Sequence, residues 1–150
     1  SILEKEYSRI TRTSGVSSIV MVDLDYFKKV NDQYGHQAGD KVLTYFASYL
    51  KDSLRPYDSV GRYGGEEFLL CLPDASVEDA NAIMERIREE LATHTVDIIG
   101  PNNQPLSIKI NLPECFSLSA LTAAIQAPIL VALESLYQET PCALSINSQR

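Results

Sequence analysis

Basic charge is scarce in this 150-residue chain: 13 Lys and Arg stand against 20 Asp and Glu, for a net charge of −7 at pH 7. A protein that grips nucleic acid through the phosphate backbone needs the opposite balance, so no nucleic-acid partner is expected. An acidic chain can still take phosphates if metal ions screen them. Cysteine is scarce too. Cys71, Cys115 and Cys142 are odd in number, widely spaced and set in apolar context, without zinc-site spacing. They read as reduced core residues of a cytoplasmic protein. No apolar run reaches the ~20 residues that span a bilayer, and no signal peptide is visible. Internal repeats and low-complexity segments are lacking. What remains is a 45% apolar composition, which marks a globular chain. Residues 1–150 read as one domain with room for a core. The chain opens mid-pattern on charged residues, so it is expected to be part of a longer protein with a further N-terminal region.

Residues 3–12 read as the end of a helix. Ser17–Asp23 is a short β-branched run, best read as a buried strand. It ends in Asp23-Leu24-Asp25, and a period of two puts both carboxylates on one side. Asp25 also suits the N-cap of a helix carrying Phe27, Val30 and Tyr34, which Gly35 ends. A second helix is predicted over roughly 38–54, stopped by Pro56. Ser76 and Asp79 resemble a capping box opening a third helix to about 93. Thr95–Ile99 is a strand candidate, and Leu106, Ile108, Ile110 and Leu112 alternate as in a half-buried strand ended by Pro113. Leu118–Ala127 is read as helical, with a stripe continuing past Pro128 through Leu136 and Tyr137. Ala143–Ile146 is a last strand candidate. The pattern predicts an α+β fold, a mainly antiparallel sheet flanked by helices.

One stretch organises the rest: Arg62-Tyr63-Gly64-Gly65-Glu66-Glu67-Phe68. Apolar runs on both sides read as strands, so Gly64-Gly65 reads as the hairpin turn between them. Two carboxylates then follow at the strand mouth. A turn without side-chain bulk beside two acids suits a polyanion carried in by metal ions. If the first strand is central, Asp23 and Glu66 converge on one cleft.

Together, Val22-Asp23-Leu24-Asp25-Tyr26-Phe27-Lys28-Lys29-Val30-Asn31-Asp32, Tyr34-Gly35-His36-Gln37-Ala38-Gly39-Asp40 and the Gly-Gly-Glu-Glu-Phe turn resemble the GGDEF domain of the diguanylate cyclase family, in its GGEEF variant. The match runs from about residue 18 to 91. It implies a fold similar to the adenylyl cyclase catalytic domain and the polymerase palm. It also implies a reaction: two GTP condense to cyclic di-GMP with loss of two pyrophosphates. Each of two domains holds one nucleotide across a two-fold axis, so a homodimer is implied.

The same resemblance implies residue roles. Asp23, the Leu24 carbonyl and Glu66 would bind Mg2+ or Mn2+, with Glu67 as a further ligand. Glu66 also stands at the proton-acceptor position, and Lys28 would contact phosphate. Asn31 and Asp40 stand at guanine-reading positions, His36 at another nucleotide-side position, and Gly64 and Gly65 let the backbone approach. Arg55 and Asp58 match an RxxD site where cyclic di-GMP restrains the enzyme, and Arg86 matches a contribution to that site from the partner domain. The bland alternatives are a helix cap for Asp25, a turn brace for His36, solvated charge for Lys28 and Lys29, and packing for Tyr45, Tyr49 and Tyr57. Residues 112–150 depart from the family pattern: Thr140 and Leu144 stand where a Lys and an Arg normally clamp phosphates. The competing reading is a GTP or cyclic di-GMP receptor of low turnover.

Overall fold

A computed structural model describes residues 2–112 and 117–122. In chain order these form α1 (Ile2–Thr13), β1 (Val16–Asp23), α2 (Phe27–Tyr34), α3 (His36–Ser53), β2 (Ser59–Gly64), β3 (Glu67–Pro73), α4 (Val77–Leu91), β4 (Thr95–Ile99), β5 (Pro105–Lys109) and β6 (Ser117–Thr122). Thr140, Leu144, Cys115, Cys142, Pro113 and the elements expected beyond residue 122 lie outside the described residues. No described helix is long and apolar enough to cross a membrane.

The main sheet has the order β2-β3-β1-β6, with every neighbouring pair antiparallel. β1 is therefore interior, as its β-branched run predicts. Val20 and Val22 turn to one face and join Phe68, Leu70 and Leu72 of β3 against Phe46 and Leu50 of α3 and Met84 and Ile87 of α4. Phe46 and Phe68 meet edge to face at 5.0 Å. Full burial of each such side chain is worth about 1.5–3 kcal/mol. Ile19 and Leu69 turn to the opposite face, where Leu3 and Ile10 of α1 cover them. β4 and β5 form a separate two-stranded hairpin.

α1 is also tied down by polar contacts. The Glu6 carboxylate accepts from Ser17 and from Arg9, and Arg9 reaches Asp74 at 3.2 Å. Burial pushes the Glu6 carboxyl up, but these partners outweigh it and hold it below its ordinary value. Cys71 is buried with a free thiol, pushed up to about 12 chiefly by burial, which makes it inert.

Four expectations need correction. Residues 117–122 are a strand, although Leu118–Ala127 reads as helical; pairing with β1 from Val16↔Thr122 to Met21↔Ser117 overrides the local Ala and Leu preference. The hairpin turn is Gly65-Glu66, one position later than Gly64-Gly65. Pairing slips between Arg62 and Gly64, so Tyr63 is an extra residue and Gly64 still belongs to β2. Asp25 neither extends β1 nor caps α2. The cap position is Tyr26, in the left-handed region at φ 59° with no side-chain cap, while the Asp25 amide donates to the Asn111 carbonyl at 3.2 Å. The half-buried strand is shorter than Leu106–Leu112: β5 ends at Lys109, although Ile110 and Leu112 are still buried.

The capping box stands as read. Ser76 Oγ accepts from the Asp79 amide at 3.1 Å, and Asp79 Oδ2 accepts from the Ser76 amide at 3.0 Å. Ser76→Ala should therefore cost about 1 kcal/mol. Chemical denaturation should show a lower midpoint at unchanged slope. An unchanged midpoint would mean that α4 does not depend on this cap.

Candidate active site

The antiparallel register sets Asp23, the last residue of β1, directly opposite Glu67, the first of β3. The turn places Glu66 beside them. Asp23 Oδ1 is buried and has no hydrogen-bond partner among the described residues. Burial first, then the Glu66 carboxylate, pushes the Asp23 carboxyl up to about 6; the Leu24 main chain opposes this and Asp25 adds a smaller rise. Burial and the Asp23 charge push Glu67 up as well, and burial alone raises Asp25. A buried acceptor with no donor, crowded by like charge, is electrostatically incomplete, and a hard cation is the chemical species that completes it. No group of three or more His, Cys, Asp or Glu side chains set to hold a metal is found among the described residues. A cation here would need main-chain oxygen, or oxygen from a ligand, besides Asp23 and Glu66.

The walls around this edge come from the helices. Leu24 and Phe27 are buried in the core. Lys28 is exposed on the first turn of α2, and Lys29 lies over the Tyr26 ring at 4.3 Å from its centre. Asn31, half-buried on α2, packs so tightly over α3 that a Cβ at Gly39 would meet its Oδ1 at 1.9 Å. Only glycine permits that approach, so Gly39 lets the Asn31 side chain lie against α3, one residue before Asp40 in the chain. Asp40 is exposed and lines two clefts. One, of ≈ 530 Å³, is shared with Thr44, Tyr45 and Asp97. The other, of ≈ 400 Å³, is shared with Leu43, Ser48, Arg62 and Phe68. His36 is exposed at the start of α3. Nothing lies within 4 Å of where a Cβ would stand on Gly64 or Gly65, so the turn is open to approach.

Arg55 and Asp58 meet each other. Arg55 Nη2 lies 2.9 Å from Asp58 Oδ1, the Arg55 amide donates to Asp58 Oδ2 at 2.9 Å, and the Asp58 side chain is only 1% exposed. Arg55 also donates to the Pro73 carbonyl at 3.3 Å and lies over the Tyr57 ring. They line a cleft of ≈ 320 Å³ with Lys51, Asp52 and Val60. Arg86 donates to the Ser53 carbonyl at 2.9 Å, at the end of α3. Tyr45 and Tyr49 are half-buried, bonded to His94 and Glu90. Tyr57 is 56% exposed, so it does not pack into the core as expected.

Two residues have no part in the sequence-based site. Gly39 was only a letter of the motif, and contact with Asn31 cannot be read from spacing. Arg62 carries no role in the motif, yet its Nε donates to the Gly65 carbonyl across the turn at 2.8 Å.

Known proteins are similar to this chain in sequence and fold. The family described as diguanylate cyclase, GGDEF domain, matches residues 1–120. The diguanylate cyclase DgcP of Pseudomonas aeruginosa is 42% identical over 106 residues, covering 71% of this chain and 15% of that protein. The crystal structure of the diguanylate cyclase SiaD from Pseudomonas aeruginosa, in complex with its activator SiaC, superposes with a TM-score of 0.75 at 30% identity, covering 92% of this chain and 53% of that one. The active GGEEF domain of a diguanylate cyclase from Vibrio cholerae gives 0.69 at 30% identity, covering 89% and 82%. The chain spans about a quarter or less of the curated relatives DgcP, diguanylate cyclase A and PleD. With a palm-like antiparallel sheet, the acidic strand end and the Gly-Gly-Glu-Glu-Phe hairpin in place, this chain belongs to the GGDEF family of diguanylate cyclase domains.

Proposed function

We propose that this domain condenses two GTP into cyclic di-GMP, releasing two pyrophosphates, with two copies each presenting one nucleotide across a two-fold axis. One observation carries the reading: among the described residues the buried Oδ1 of Asp23 has no hydrogen-bond partner, and the Glu66 carboxylate lies near enough to push that carboxyl up. That donor set fits Mg2+ or Mn2+, which Asp23, Glu66 and the Leu24 carbonyl would hold, with Glu67 as a further ligand. When bound, such an ion offsets phosphate charge and acidifies the attacking hydroxyl. Glu66 takes up the proton of the ribose 3′-hydroxyl that attacks the other nucleotide's α-phosphorus. Lys28 meets phosphate and stabilises the charge that develops there. Asn31 and Asp40 read guanine's edge, an amide and an acceptor carboxylate against its carbonyl and amino groups, with His36 nearby. The bare Gly64-Gly65 segment admits the nucleotide backbone to backbone.

The Arg55–Asp58 turn, with Arg86, takes up cyclic di-GMP and restrains the enzyme. The Arg fork suits phosphate or guanine, and the carboxylate suits guanine's donors. Because Arg55 already gives Nε and Nη2 to Asp58 and Nη2 to the Pro73 carbonyl, the product has to engage Nη1.

Incubating the chain with GTP and Mg2+ and separating the products by chromatography tests the central reading: cyclic di-GMP and pyrophosphate should both accumulate. Glu66→Gln should leave the fold intact and retain less than about a tenth of the turnover, since a hard anionic ligand and the proton acceptor are lost together. Higher residual activity would remove Glu66 from the reaction.

The electrostatics give a pH test without turnover. The Asp23 carboxyl is raised in the folded state to about 6 from an ordinary 3.8, so the folded protein binds this proton more tightly than the unfolded chain. Ionised Asp23 therefore costs stability in full above about pH 6, and the cost fades as pH falls from 6 to about 4, below which both states are protonated and none remains. Asp23→Asn should raise the melting temperature at pH 8 in metal-free buffer, with the gain shrinking steadily towards pH 4. A gain independent of pH would contradict the crowded-carboxylate picture.

For the inhibitory site, Arg55→Ala and Arg86→Ala should each weaken cyclic di-GMP binding at least about tenfold by calorimetry, the loss of one charge-assisted contact. Arg86→Ala leaves the buried Asp58 paired, so it separates lost recognition from a disturbed turn. Unchanged affinity in that variant would exclude Arg86 from the site.

A further inference from the structure

We propose that Arg62 is a positioning residue: its guanidinium holds the Gly65–Glu66 peptide plane and thereby sets where the Glu66 carboxylate lies. The proposal rests on the reading of Glu66 as ligand and proton acceptor given above.

The Gly64↔Glu67 pair closes the ends of the turn, and the residues between them, Gly65 and Glu66, lie outside the ladder. Pairing between β2 and β3 slips between Arg62 and Gly64, so the ladder is interrupted at Tyr63 just before the turn. The positions a Cβ would take on Gly64 and Gly65 have no atom within 4 Å. Gly65 has φ +48°, a region that glycine enters and leaves freely. Packing on the two glycines therefore does not choose the orientation of the peptide that follows. Arg62 does, because its Nε donates to the Gly65 carbonyl at 2.8 Å. That oxygen belongs to the peptide unit joining Gly65 to Glu66. Fixing it restricts the last torsion of Gly65 and the first of Glu66, the two that aim the Glu66 side chain.

Arg62 is exposed, but the backbone that carries it is well anchored. Arg62 lies in register opposite Phe68, which is 1% exposed and packed edge to face on Phe46. The contact thus links the rigid core to the open turn by one side chain. Arginine suits the task because its Nε–H lies in a planar, pre-oriented fork; a lysine ammonium sits further out on a flexible stem. Arg62 also lines the ≈ 400 Å³ cleft with Asp40, so direct contact with the nucleotide is the rival role, and the two roles move different constants.

The test compares the 150-residue chain with Arg62→Lys and Arg62→Ala. Backbone amide relaxation dispersion should show microsecond-to-millisecond exchange at Gly65 and Glu66 in both variants and none in the wild type. Melting temperatures should stay within about 2 °C, because the core is untouched. In cyclase assays kcat should fall at least about tenfold. The Mg2+ concentration for half-maximal rate should rise at least about threefold, while KM for GTP at saturating Mg2+ stays within about twofold. Unchanged amide dynamics would overturn the proposal. So would a rise in KM at unchanged kcat, which would make Arg62 a nucleotide contact. If the wild-type chain makes no cyclic di-GMP, the proposed function fails instead, and the relaxation data alone decide whether Arg62 holds the turn.

Discussion

Like charges set opposite each other across an antiparallel pair repel, and this fold closes on such a pair, Asp23 against Glu67, with Glu66 adjoining from the turn. The arrangement costs free energy in the metal-free chain. It survives because each carboxylate projects from backbone that the core fixes independently. Asp23 ends an interior strand held on both sides, by β3 and by β6. Val22, Leu24 and Phe68 beside the acids are buried at 5% exposure or less. The apolar contacts that stabilise the sheet are the same contacts that keep the acids from separating. For the cation proposed above, the cost of bringing Asp23 and Glu67 together is thus already met by the fold.

The sheet leaves one component soft. Asp23 and Glu67 sit in paired strands, whereas Glu66 sits in a turn with open space around its glycines. Openness admits a nucleotide, and the same openness removes the packing that would orient Glu66. A hydrogen bond from a core-anchored arginine reconciles the two demands, because it fixes a peptide plane without filling the approach.

Much of this was legible in the sequence. The periodicities of Ser17–Asp23, 38–54 and Val77–Leu91 identify elements whose own side chains decide their state, and a capping box announces itself in Ser76 and Asp79. The convergence of Asp23 and Glu66 followed from placing β1 inside the sheet. What escaped depends on partners distant in the chain. Residues 117–122 become a strand because β1 offers an edge, a fact absent from the local pattern. The turn moved by one residue because a bulge at Tyr63 has no compositional signature. Asp25 looked like a cap, yet Tyr26 takes the cap position in a left-handed conformation that side-chain type does not foretell. Arg62 was in plain view within the motif, but a surface arginine acquires meaning only when its acceptor, the Gly65 carbonyl, is placed.

The two regions proposed to take up GTP and cyclic di-GMP sit at opposite ends of one helix. His36 and Asp40 open α3, and Ser53 closes it beside the Arg55–Asp58 turn. At 1.5 Å per residue those 18 residues span roughly 27 Å. Three polar rungs at four-residue steps along α3 join it to α4 and to the turn that follows α4: Tyr45 to His94 just beyond the helix end, Tyr49 to Glu90, and the Ser53 carbonyl to Arg86. Arg55 adds a tie to the Pro73 carbonyl, and the next residue, Asp74, pairs with Arg9 of α1. A ligand at Arg55 therefore cannot touch Asp40 or the acidic edge, and a helix so braced does not bend easily between them. Any restraint exerted from that end has to act through α3, α4 and α1 as packed bodies, or through the way two copies are allowed to meet. A shift of individual side chains in the nucleotide site would not transmit it.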